Sequence, residues 1–201
     1  MTPLFACTLC HSGLGEELRR AITGPHFWVQ FAGLALTMAV LVLILMMLAR
    51  QWRWADARVA GVSIGMGLGG FLDGVVFHQL LQLHGTVSAR VPLTTLLGAK
   101  VNMFWDGVFH AGVWALTLLG VILLHRSAAH VPRVHGRAFT GAMITGWGAF
   151  NLVEGLIDHH LLDLHDVHQA GAPYWNYAFL FLGLILVLCG WLGLLKPRLP
   201  K

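Results

Sequence analysis

The residues able to do chemistry in this chain are acids and imidazoles placed where few polar groups belong. Of its nine acidic residues, Asp73, Asp106, Glu154 and Asp158 fall inside apolar segments, and twelve histidines accompany them. Imidazole nitrogens and carboxylate oxygens together form a ligand set for zinc, iron or copper, and further carboxylates or amides commonly support such ligands from behind. Asp73, His78, Asp106, His110, Glu154, Asp158 and His159 are therefore the candidate metal ligands. His84, Asn102, Asn151, His160, His165 and His168 are candidates for supporting groups or for the approach to the site. Such a set is large enough for two metal ions, as in carboxylate-rich helical bundles.

Helical spacing brings some of these groups together. Asp106 and His110 stand about one turn apart, and Asp73 and His84 return to nearly the same face. Asn151, Glu154, Asp158 and His165 likewise share a face. At about 3.6 residues per turn, His78 and His159 are rotated by about 140° from Asp73 and Glu154. They read as flanking ligands, supporting partners or lipid-interface residues. A charge at membrane depth costs about 2.5–3.5 kcal/mol, so four acids need compensation. No Lys or Arg lies near them in the outer halves of the polar segments, which leaves protonation or a metal. A proton or ion pathway and a purely structural network are the alternatives to a metal site.

A second motif stands at the N-terminus. Cys7, Cys10 and His11 spell C-x-x-C-H, the attachment sequence for c-type haem. The tail before the first apolar run is too short for an ordinary cytochrome c domain. A labile disulfide, a thiolate pair handling Cu(I) or Zn, and a chance spacing in a disordered tail are the other readings of these cysteines. Cys189 lies in the last apolar segment and reads as a packing residue.

The elements that must position these groups are membrane helices. The chain is 57% apolar and only 11% charged, with a mean hydropathy of +0.70, which excludes a soluble globular enzyme or a nucleic-acid binder. Five segments are long enough to cross about 30 Å of hydrocarbon: 29–49, 60–84, 103–125, 137–164 and 174–195. The first, free of charges and closed by Arg50, Trp52, Arg53 and Trp54, reads as a plain anchor. The expected organisation is all-α: an outward tail (1–28), an anchor helix and loop (29–59), a four-helix core (60–196) and a cytoplasmic tail (197–201).

Orientation follows from the basic residues between spans. Arg50, Arg53, Arg58, Arg126, Arg133, Arg137, Lys196, Arg198 and Lys201 fall on one side, against Arg19, Arg20, Arg90 and Lys100 on the other. The positive-inside rule then places the N-terminus outside and the C-terminus in the cytoplasm of a bacterial inner membrane. No cleavable signal is visible. In this orientation every intramembrane acid lies in the outer half of its helix, so the polar groups share one depth. Asp163, His165, Asp166 and His168 form a polar rim beyond it, while His125, His130 and His135 fall on the cytoplasmic side.

Residues 65–84 and 146–165 align without a gap and with eight identities, pairing His78 with His159, His84 with His165, and Asp73 with Glu154. Both run in the same direction, which predicts two hairpins related by an axis along the membrane normal. Gly61, Gly65 and Gly69, echoed by Gly146, Gly148 and Gly155, allow close helix approach.

The strings DGVVFHQLLQLH, DGVFH and FNLVEGLIDHHLL resemble the signature segments of a group of predicted bacterial membrane proteins, domain of unknown function 2243, over roughly residues 60–195. The resemblance implies that the acids and histidines above are the family's polar positions. At the positions after His84 and His165, where the family pattern often has a second histidine, this chain has Gly85 and Asp166. The expected function is a membrane metalloprotein, a copper- or iron-dependent oxidoreductase, with copper favoured by the C-x-x-C pair and zinc also compatible. The rivals are a metal or proton-coupled transporter or metal-delivery protein, and a partner subunit of a respiratory or oxygenase complex. Its expected partners are lipid and other membrane subunits or further copies of itself.

Overall fold

The computed structural model describes residues 12–24, 27–53, 56–130 and 136–195, so Cys7, Cys10 and His11 lie outside them. Six helices are joined by loops: α1 (Ser12–Ile22), α2 (Phe27–Trp52), α3 (Ala57–Leu72), α4 (Leu96–His130), α5 (Gly136–Glu154) and α6 (Ala172–Leu195). Two of them change winding before they end. α3 continues as a π-helix over Asp73–Leu80, and α5 as one over Gly155–Leu161.

Helix α1 falls in what the sequence presents as a tail. Eleven residues are too few for a stable helix alone, but Leu18 and Ala21 pack on the core while Glu16 pairs outward with Arg19 and Arg20 at 2.7 and 3.1 Å. At the opposite end of α2, Asp56 caps α3 by accepting the Arg58 N–H at 2.8 Å, and the Arg58 guanidinium lies 4.6 Å over the Trp52 ring.

Four helices are long and apolar enough to cross a bilayer: Phe27–Trp52, Ala57–Leu80, Leu96–Ala128 and Ala172–Leu194. The remaining expected span coincides with α5 and its π-helical continuation. Its length suits a membrane, but Asn151, Glu154, Asp158, His159 and His160 make it less apolar than the other four. All of these polar groups but the exposed His160 turn inward, and the surface that remains carries apolar side chains such as Leu43, Met47, Trp114, Phe181 and Leu188.

The core is built on the crossing of α3 with α5, flanked by α4 and α6. Backbones touch at that crossing because glycine removes the side chain between them. Gly65 abuts the Met143 carbonyl, and Gly146, 81 residues on, abuts the Val62 carbonyl. The flanking contacts repeat as well: Gly67 lies against Val113 and Thr117 of α4, and Gly148 against Gly183 and Val187 of α6. A shift of 81 residues thus carries contacts of α3 onto α5, and a shift of 70 carries those of α4 onto α6.

Candidate metal centre

The π-helical segments decide which side chains meet. An i→i+5 hydrogen bond widens the turn, so residues five apart face one way instead of standing about 140° apart as in an α-helix. His78 Nε2 therefore comes to 3.1 Å from Asp73 Oδ2, and His159 Nε2 to 2.9 Å from Glu154 Oε1. Sequence periodicity had set both histidines apart from those acids; instead both are buried, at 5% and 4% exposure. After each π-helix a non-glycine residue in the left-handed region, Gln82 (φ 50°) or Asp163 (φ 49°), reverses the chain.

That reversal tucks His84 and His165 beneath the helix ends. His165 belongs to the core and not to a solvated rim, since both rings are 2% exposed. His84 Nδ1 donates to the Val167 carbonyl at 2.9 Å, and His165 Nδ1 donates to the Thr86 carbonyl at 3.0 Å. A carbonyl can only accept, so each Nδ1 carries the proton and each Nε2 presents a lone pair. A neutral imidazole in this tautomer is the form that binds metals.

His78 is held in the same tautomer by a carboxylate. Its Nδ1 donates to Asp106 Oδ1 at 3.0 Å, and that oxygen also accepts the Thr86 N–H at 2.9 Å and the Thr86 hydroxyl at 2.7 Å. Gln79 Nε2 donates to Asp106 Oδ2 at 3.2 Å. Asp106, expected as a ligand, therefore stands behind His78 and orients it, as carboxylates do behind metal-bound histidines.

The free lone pairs converge. Ligand atoms of His78, His84 and His165 lie within 4.8 Å of one another, and so do those of Glu154, His159 and His165. Glu154 Oε1 is 3.0 Å from His165 Nε2, and the Nε2 atoms of His159 and His165 are 3.1 Å apart. Asp73 Oδ2, His78 Nε2, His84 Nε2 and both Glu154 oxygens make no aligned hydrogen bond despite complete burial. Lone pairs this close repel unless a proton or a metal ion lies between them.

The other expected residues occupy separate places. Asp158 accepts the Thr37 hydroxyl at 3.0 Å, which draws α2 into the site and corrects its reading as a plain anchor. His110, half-buried, has its Nε2 against Gly74 and stacks with Phe71 at 6.1 Å. Asn102 holds the loop after His84, accepting the Val87 N–H at 3.1 Å and donating to the Val91 carbonyl at 2.8 Å. Asn176, which sequence reasoning missed, does the same for the second loop by accepting the Val167 N–H at 3.0 Å. Asn151 is buried beside Asp73 on the wall of a cavity. His160 turns back to the Gly155 carbonyl and the Tyr177 ring, and His168 to the Ala170 carbonyl. The register shared by His84 and His165 in the repeat was the available sign that these two act together.

No curated protein and no solved structure matches this chain. A sequence family described as a predicted membrane protein, DUF2243, matches residues 60–196. That match spans α3 to α6 and every histidine and acid of the cluster, and the chain belongs to this family.

Proposed function

We propose that the protein is a membrane-embedded metalloprotein whose two hairpins, products of a duplication, each contribute two histidines and one carboxylate to a two-metal centre. One grouping is His78, His84 and His165 with Asp73 beside His78, the other is Glu154, His159 and His165, so His165 stands between the two positions. The observation that carries this reading is the convergence of buried lone pairs whose rings are fixed from behind by Asp106, Val167 and Thr86. Protonation is the competing account, in which His78 Nε2 donates to Asp73 Oδ2 at 3.1 Å and His159 Nε2 to Glu154 Oε1 at 2.9 Å; metal analysis decides between the two.

Histidines and a carboxylate at each metal suit iron in oxygen chemistry, or zinc in the activation of water. The thiol pair that favours copper, Cys7 and Cys10, lies outside the described residues, and the ligand atoms that converge among the described residues are imidazole and carboxylate. Iron is therefore the first choice, and the activity an oxidoreductase reaction. When bound, iron would supply oxygen activation. The chain's own contribution is to hold three rings in the ligand tautomer, exclude water and keep the acids at bonding distance.

A cation-delivery protein is the second reading, favoured by Glu154 and Asp158 one turn apart on one helix, where a carboxylate can exchange a cation for protons. In either case the centre lies toward the outer face of a bacterial inner membrane. The packing of α1 and the start of α2 near the loop end of α4 puts them on the same side as the centre.

Elemental analysis of protein purified in detergent without chelators tests the proposal. About two iron or zinc ions per chain are expected, and folded protein that neither contains nor takes up metal would refute it. Catalysed oxygen consumption by the iron form separates an enzyme from a carrier, which instead moves metal into liposomes.

A further inference from the structure

The packing of the two hairpins differs beside the cluster. Phe150 of α5 is fully buried and meets Phe109 of α4 with ring centroids 6.0 Å apart. The residue 81 positions earlier is Gly69 on α3, and the partner of Phe109 at the shift of 70 is Phe179 on α6. Where the first pair fills its space with a phenyl ring, the Trp147 ring covers Gly69, and Gly69, Trp147 and Phe179 line a cavity of about 200 Å³. An engineered apolar cavity of about 150 Å³ takes up benzene, so this volume accommodates a ring with a substituent.

The cavity has a polar end and an apolar mouth. Asp73 and Asn151 line it, and Asp73 Oδ2 lies 3.1 Å from His78 Nε2 in the cluster. Asn151, on this wall, is 2% exposed. Ala178 and Leu182 of α6 also line it and stand on the lipid-facing surface. A route through them leads from hydrocarbon, not from water.

We infer that this cavity is the substrate pocket of the centre, and that it takes an uncharged molecule with one ring and one hydrogen-bonding head, of the phenol class, entering laterally from the bilayer. The head reaches Asn151 and Asp73, and the ring lies between Trp147 and Phe179. Naming this ligand as substrate rests on the metal-centre reading; its binding rests on the cavity alone.

The test uses 4-bromophenol, whose bromine quenches tryptophan, with full-length protein in phosphatidylcholine nanodiscs, both metal-free and iron-loaded. Saturable quenching is expected in the wild type and is reduced in Trp147→Phe, since Trp147 lines the cavity. Ala178→Phe, a change on the exposed side of α6, should weaken binding at least tenfold. Asn151→Leu should weaken 4-bromophenol at least fivefold and leave bromobenzene unchanged. Quenching that never saturates and is equal in Ala178→Phe overturns the inference, as does brominated phosphatidylcholine that quenches Trp147 and is not displaced by the phenol. Saturable binding by a protein that takes up no metal refutes the metal centre and leaves the pocket standing. An iron-loaded protein that binds no phenol does the reverse.

Discussion

His84 and His165 hold each other's loops in place. Each ring donates from Nδ1 to a carbonyl in the loop that carries the other, His84 to Val167 and His165 to Thr86, and the two acceptors are themselves 81 residues apart. The exchange aims both Nε2 atoms at the same small volume. A third tie, from the Ala89 N–H to the Leu164 carbonyl at 3.0 Å, closes the clasp. Ring orientation in one hairpin is thus set by the backbone of the other, so the centre can form only when both halves are docked.

Removing one Nε2 should remove one metal. Asparagine can keep an N–H near the position of Nδ1 while lacking the second nitrogen, so His84→Asn and His165→Asn preserve the clasp. Metal analysis is expected to fall from about two ions per chain to about one in each, with His168→Asn unchanged. Equal metal content in wild type and His84→Asn would contradict the division of ligands.

Asp106→Asn tests the role of the carboxylate behind His78. Loss of such an outer partner typically costs about 10–100-fold in metal affinity without removing a ligand. Competition with a chromophoric chelator should show this weakening for one of the two ions, at unchanged stoichiometry in excess metal. Loss of that ion at all concentrations would make Asp106 a direct ligand instead.

Gly65→Ala places a methyl group against the Met143 backbone carbonyl at the α3–α5 crossing. Backbone cannot rotate away as a side chain can, so the helices must separate. Overpacking of this kind costs about 1–3 kcal/mol. Thermal unfolding in detergent should start at lower temperature, whereas Gly107→Ala, with nothing within 4 Å of the added carbon, should leave it unchanged.

Topology is tested at the loop between the π-helical end of α5 and α6. With Cys7, Cys10 and Cys189 replaced by Ser, Gln169→Cys adds a thiol at an exposed position. A membrane-impermeant maleimide should label it in spheroplasts before lysis. Labelling only after lysis would invert the orientation.

Much of the molecule could be read from residue order. Apolar runs of span length have little alternative to membrane helices, because backbone groups in hydrocarbon must be satisfied within the segment. The acids without nearby Lys or Arg marked a cluster in advance, and the common register of 73, 78 and 84 with 154, 159 and 165 marked its two halves. Gly65 and Gly146 announced a close crossing by their spacing alone.

Facing, by contrast, was decided by the folded chain. A period of 3.6 residues turns His78 and His159 away from Asp73 and Glu154, and only the π-helical winding brings them round. His84 and His165 read as peripheral because they follow the helices, yet left-handed turns at Gln82 and Asp163 fold them inward. Asp106 looked equivalent to Asp73 but was taken by Thr86 and Gln79, and Thr37 gave an apolar helix a hydrogen bond into the core. Residue order determines which groups must be hidden from lipid and in what repeating pattern. Which of them meet depends on backbone carbonyls and amides contributed from some 80 residues away, and those directions exist only once the hairpins have packed.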